Sequence, residues 1–228
     1  MNLNIPYMET DNKLLNDAYR IAAGDIVGNI VYYQNGLLTE EKPCMIAGLD
    51  YNTPWTRDTA INIWNALSIL SPEVSKNTLL AVLEEEEGNI YIGGQYWDSI
   101  IWMIGAREYC RFHKDDNFYR LAFEAGRNSV HRLEEDEFDE EDGLFRGPAV
   151  YGDGIAAYPD KYSKCPNQGS GILEWVDYPG NPVYPKGYGI PMKALSTNCV
   201  YFKVYEILAE MAHALGEPAK EFEEKRQP

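Results

Sequence analysis

At 228 residues and 26.0 kDa, with 45% hydrophobic residues, the chain is long enough to fill a sizeable core and too apolar to be disordered. Its 36 acidic residues against 20 Lys and Arg leave a formal charge of -16 and a pI near 4.6, which excludes a phosphate-backbone partner such as nucleic acid. The 17 Tyr, 7 Phe and 5 Trp exceed what such a core takes up, so part of the aromatic set is expected to line a surface or cleft.

The opening residues Met1-Asn2-Leu3-Asn4-Ile5-Pro6 carry no basic or apolar targeting region, and no long apolar run follows. The sequence as given reads as cytoplasmic, or as secreted or periplasmic if a leader has been trimmed, with no membrane partner. A leading helix is expected from Asp11 to about Tyr32. After it, three places repeat one design: an apolar helix, a short polar or Gly turn suited to a helix start, and a second amphipathic helix. They are Ile61–Leu70 with Val74–Leu83, Trp97–Phe112 with Phe118–Leu133, and Thr197–Leu215 with Ala219–Arg226. Tyr201, Val204, Tyr205, Leu208, Met211, Ala212 and Leu215 fall at steps of three and four and form one stripe. Ile100, Ile101, Trp102, Met103, Ile104 and Ala106 lie on nearly every side of their helix, which must therefore be surrounded.

Such αα-hairpins stack side by side with the more apolar helix of each pair inside. The pattern predicts an all-α protein, a single domain over 1–228. The connections before the inner helices are long and rich in Gly, Pro and Tyr: Tyr32–Pro54, Gly88–Tyr96 and the longest, 143–191. All three are expected on one rim, where a site is sought.

Cys44, Cys110, Cys165 and Cys199 are widely separated and read as reduced thiols, while His113, His131 and His213 are isolated. No zinc pattern and no Ser/His/Asp arrangement results, and no metal or cofactor is expected. Apart from Phe138, the stretch Glu134–Asp142 is continuously acidic; it does not fit a calcium loop and reads as a solvated turn. Glu84–Glu87 at a predicted helix C-terminus opposes the helix dipole.

The segment Pro54-Trp55-Thr56-Arg57-Asp58-Thr59-Ala60 places an indole, a guanidinium and a carboxylate at one helix start. A sugar needs such groups, a flat apolar face for its C–H surface and charged groups for vicinal hydroxyls. An Arg–Asp pair at a dipole-favoured helix start is the competing, purely structural account. The segment resembles the W-x-R-D element of the six-hairpin glycosidases, the glucoamylase-like and glucosidase-like (α/α)6 enzymes. Gln95-Tyr96-Trp97-Asp98-Ser99 and Ser196-Thr197-Asn198 with the helix that follows resemble further hairpins of that superfamily, though less sharply.

The resemblance implies an (α/α)6 toroid, present here only in its N-terminal half, and hydrolysis of an oligosaccharide or glycoside by an inverting acid/base mechanism. It implies that Arg57 and Asp58 hold sugar hydroxyls with Trp55 as a wall, and that Gln95, Trp97 and Asp98 lie on the rim. It assigns the general acid to Asp153, in Tyr151-Gly152-Asp153-Gly154, where flanking glycines let the backbone approach a ligand and Tyr151 helps exclude water. An Asp-Gly turn residue is the alternative there. Glu174, Trp175 and Asp177 form a second acidic-aromatic cluster, with Glu174 as the second candidate acid and Trp175 and Asp177 as candidate sugar-binding residues; a solvated loop with buried rings is the alternative. Inversion needs two carboxyl groups roughly 6.5 to 9.5 Å apart. In that superfamily the base comes from late in the ring, so it is expected to be missing from this chain. Half a toroid leaves an apolar seam, for which a second chain or a homodimer is the expected cover. A non-catalytic carbohydrate-binding or assembly module is the alternative function. A sugar 2-epimerase is disfavoured by the isolated histidines.

Overall fold

The computed structural model describes residues 5–94, 98–147, 149–150 and 193–226. They divide into two compact units, the first made of residues up to 94 with 101–125, the second of 95–100 with 126 onward.

The first unit opens with α1 (Lys13–Gly28), whose start is set by Asn12: its side chain accepts from the backbone N–H groups of Leu14 at 3.0 Å and Leu15 at 3.3 Å. Strands β1 (Ile30–Tyr33) and β2 (Lys42–Met45) then pair antiparallel, with Val31 opposite Cys44. The hairpin is fastened to α4 (Pro72–Ala81), where Thr78 Oγ1 accepts from Met45 N at 3.0 Å and Asn77 Nδ2 donates to Pro43 O at 3.2 Å. Gly36 lies against the last carbonyls of α4 at φ 59°, and a Cβ there would sit 2.6 Å from Leu80 O, so only glycine fits.

A helical run begins at α2 (Thr56–Asn62), widens into a π-helical segment (Ile63–Leu67) and ends as the short α3 (Ser68–Leu70). Pro72 at the first turn, with Glu73 after it, restarts the chain as α4. Strands β3 (Leu83–Glu86) and β4 (Asn89–Ile92) form a hairpin around Glu87 at φ 51° and Gly88 at φ 82°, a two-residue turn of the I′ type. Next come α5 (Asp98–Phe112) and α6 (Asp116–Glu137), each with residues in both units. In the first unit's core, Trp102 is fully buried and donates to Leu79 O at 3.3 Å. Tyr109 meets Phe118 edge-on with centroids 5.0 Å apart, and His113 Nε2 lies 2.6 Å from Ser68 O.

The second unit holds β5 (Phe138–Asp139), β6 (Leu144–Phe145), α7 (Leu195–Leu215) and α8 (Lys220–Lys225). The apolar stripe read from the sequence is the buried face of α7, which stops at Gly216 in the left-handed conformation at φ 72°. Phe145 stacks on Tyr201 with centroids 3.5 Å apart and planes 4° apart. Asn198 brackets the same residue, accepting from Phe145 N at 2.8 Å and donating to its carbonyl at 3.1 Å.

The expectation of an all-α (α/α)6 toroid is corrected. The described residues are about 60% helical and 12% strand, the strands in three small antiparallel sheets, which makes the chain a mixed α/β protein. Two hairpins stand where loop or helix was expected. The leading helix ends at Gly28 because Ile30-Val31-Tyr32-Tyr33 is β-branched and aromatic and has Lys42–Met45 to pair with. The predicted helix reaching Leu83 stops at Ala81, and Glu84–Glu86 run as strand. The acidic run therefore never meets a helix C-terminus, and the dipole conflict does not arise.

Candidate functional site

Trp55 is the N-cap of α2, extended at φ −99° and ψ 139°, and its own side chain makes no capping hydrogen bond. Thr56 instead turns its hydroxyl to Gly93 O at 2.8 Å, tying the helix start to the end of the β3–β4 hairpin. The loop before it is held by a Tyr51 N to Gly48 O bond of 3.0 Å and by the Tyr33 hydroxyl 2.8 Å from Thr53 Oγ1.

This local structure gathers an aromatic and charged cluster. The Arg57 guanidinium lies over the Trp55 ring, 5.2 Å from its centroid, a cation–π distance. Tyr51, half-exposed, meets Trp55 edge-on with centroids 6.4 Å apart and planes at 85°. Asp58 sits in the first turn of α2, where a negative charge is favoured. Trp55 Nε1 is buried, and among the described residues it has no hydrogen-bond partner.

Trp55, Arg57 and Asp58 are thus neighbours at one helix start. Tyr51, three residues before Pro54, joins them through the loop turn at Gly48, a placement with no local sequence signature. Asp98 is the first residue of α5, assigned to the second unit and only 1% exposed. Gln95, Trp97, Tyr151, Asp153, Glu174, Trp175 and Asp177 lie outside the described residues.

Cys44, Cys110 and Cys199 are free thiols. Burial pushes Cys44 up to about 12, against a hydrogen bond from Thr78; burial and the nearby Asp115 charge push Cys110 up to about 12. His131 Nε2 lies 3.5 Å from Glu221 and His213 Nε2 2.8 Å from Glu223.

The acidic tract is more structured than a solvated turn. It closes α6 and forms the β5–β6 hairpin, with Glu134 accepting from the Tyr205 hydroxyl at 2.5 Å and pairing with Lys225 at 2.6 Å. Asp139 pairs with Lys193 at 2.7 Å and Arg146 at 2.9 Å, and the Lys193 hydrogen bond is the main reason its carboxyl falls to about 2. Tyr201 is held well above the usual phenol range, first by burial and then by Glu137, Glu134 and Asp136. Among the described residues no group of three or more His, Cys, Asp or Glu is placed to hold a metal ion, and no helix is long and apolar enough to cross a membrane.

Compared with protein-family profiles, curated proteins and solved structures, the chain matches none.

Proposed function

We propose that the chain binds a carbohydrate at the start of α2 and acts there as a glycoside hydrolase. The observation that carries this reading is the placement of the Arg57 guanidinium over the Trp55 ring, 5.2 Å from its centroid. Trp55 and Tyr51 offer apolar ring surface for sugar C–H groups. Arg57 and Asp58 offer a donor fork and an acceptor for neighbouring hydroxyls. Pinning Arg57 on the ring fixes the direction of its fork, which suits a ligand whose hydroxyls have fixed geometry.

The hydrolytic part of the proposal rests on the resemblance of the W-x-R-D segment and assigns the general acid to Asp153, with Glu174 as the second candidate. Inversion needs one carboxylic acid to give its proton to the glycosidic oxygen and a second carboxylate to take the proton of the water that attacks the opposite face; Asp153 is proposed for the first role, and the second is assigned to no residue of this chain. Replacing Asp153 by Asn should abolish hydrolysis and leave sugar binding within about twofold; hydrolysis at the wild-type rate would remove Asp153 from the mechanism. Binding without hydrolysis by the unaltered chain would favour the second reading, a carbohydrate-binding module. That reading needs only the cluster around Trp55, which lies within a single unit.

A further inference from the structure

α4 ends against a turn from far earlier in the chain. The last carbonyls of a helix have no partner inside it and carry the negative end of its dipole. The turn before β2 supplies partners: Leu37 N donates to Leu80 O and Asn35 Nδ2 donates to Ala81 O, each at 3.1 Å, while Leu38 N closes the turn on Asn35 O at 3.0 Å. The same turn places Leu38 in a buried cluster with Cys44 and Ala81. One side-chain amide thus joins the β1–β2 connection to the end of α4.

That amide stands beside a nitrogen able to attack it. Asn35-Gly36 is the one Asn-Gly pair in the sequence. Both residues are exposed, Gly36 has no Cβ to shield its nitrogen, and its N–H makes no hydrogen bond among the described residues. We infer that Asn35 is a site of spontaneous deamidation, and that its conversion uncaps α4 and loosens the core around Cys44. The Gly36 backbone nitrogen, on losing its proton, attacks Asn35 Cγ. The new N–Cγ bond closes a succinimide ring, and Nδ2 takes up a proton and leaves as ammonia. Water then opens the ring at Cγ to give aspartate, or at the main-chain carbonyl to give isoaspartate. In sum one water is consumed and one ammonia released, with no change of oxidation state.

Either product replaces the donor to Ala81 O with a carboxylate at the C-terminus of a helix, where negative charge is unfavourable. Isoaspartate also lengthens the main chain by one carbon beside Gly36, where a built Cβ already lies 2.6 Å from Leu80 O and Leu83 O and 2.8 Å from Ala81 O. The bonds of Met45 N to Thr78 Oγ1 and of Asn77 Nδ2 to Pro43 O still hold β2 on α4, so the opening is local rather than global.

Incubation of the full chain for several weeks at mildly alkaline pH, followed by peptide mass spectrometry, tests this. Asn35 should convert first, ahead of Asn52 and Asn128, whose neighbours Thr53 and Ser129 carry a Cβ. The converted protein, separated by ion exchange on its added negative charge, should be alkylated at Cys44 about tenfold faster than the starting protein, the effect of losing one hydrogen bond and gaining a charge at a helix end. Asn35→Asp should reproduce that rise without incubation. Asn35→Gln keeps an amide but closes the larger imide ring far more slowly, so it should leave Cys44 closed throughout. Asn35 still an amide at the end of the incubation, converted protein whose Cys44 reacts no faster than before, or an Asn35→Gln variant that opens on incubation like the unaltered chain would overturn the inference.

Discussion

Gly105 on α5 faces Ala60 on α2 so closely that a Cβ built on the glycine would lie 2.8 Å from the Ala60 Cα and 3.0 Å from its carbonyl oxygen. Backbone, unlike a flexible side-chain end, cannot yield to such a contact. The glycine is therefore what lets α5 lie directly on the helix that starts with Trp55.

Gly105→Ala should consequently destabilise the protein by about 1–3 kcal/mol, the cost of overpacking a tight contact. Gly24, also inside a helix, has nothing within 4 Å of its built Cβ. Gly24→Ala should stabilise by about 0.5–1 kcal/mol through helix propensity and unfolded-state entropy. Thermal melting reads both as shifts of opposite sign, roughly 2–4 °C per kcal/mol for a chain of this size.

The β3–β4 turn supplies a second test. Glu87 is the one non-glycine residue with positive φ among the described residues, at 51°, and it follows three other glutamates. Asparagine tolerates the left-handed region better and brings no charge, so Glu87→Asn should raise the melting temperature, by an amount corresponding to about 0.5–1 kcal/mol. Gly88→Ala, at φ 82° with no neighbour within 4 Å, should lower it through backbone strain alone. An unchanged melting temperature in both would contradict the turn assignment.

These elements show what the residues disclose by themselves. α7 is legible because its stripe from Tyr201 to Ala212 has the helical period and Gly216 ends it. The β3–β4 hairpin is not, because three glutamates in a row have low strand preference and the signal lies across the turn in Ile90 and Ile92. β1 is hidden for the opposite reason: Ile30 and Val31 continue the apolar spacing of α1, and only pairing with β2 decides against helix. At the candidate site, Trp55 and Arg57 are readable as neighbours from their spacing at a helix start. Tyr51 is not, since a turn closed by Gly48 brings it back to the indole.

Thiol reactivity should follow burial. Cys44 is fully buried and Cys110 half-buried, both thiols pushed up to about 12, whereas Cys199 is exposed. Alkylation of the native protein at about pH 8, mapped by peptide mass spectrometry, should modify Cys199 quickly and leave Cys44 and Cys110 intact until denaturant is added. Equal labelling of Cys44 and Cys199 would contradict the complete burial of Cys44 in the core beside Leu38 and Ala81.

Acid sensitivity should centre on Asp139. Its folded-state carboxyl titrates at about 2, below the ordinary unfolded value of about 3.9, chiefly because of the hydrogen bond from Lys193. A depressed carboxyl stabilises the fold above the unfolded value, and that contribution is lost as pH falls through about 4 toward 2. Lys193→Met removes the main partner, so the acid-unfolding midpoint followed by circular dichroism should move to higher pH. A midpoint that does not move would remove this pair from the acid response.

The most direct test of the sugar-site proposal is calorimetric titration of the unaltered chain, Arg57→Leu and Asp58→Asn with a panel of neutral oligosaccharides. The account predicts saturable binding of at least one glycan by the unaltered chain. It predicts a loss of about tenfold or more in each variant at unchanged helical content, as expected when one or two charged hydrogen bonds to hydroxyls are removed. No binding by the unaltered chain, or Arg57→Leu binding as tightly as wild type, would contradict it.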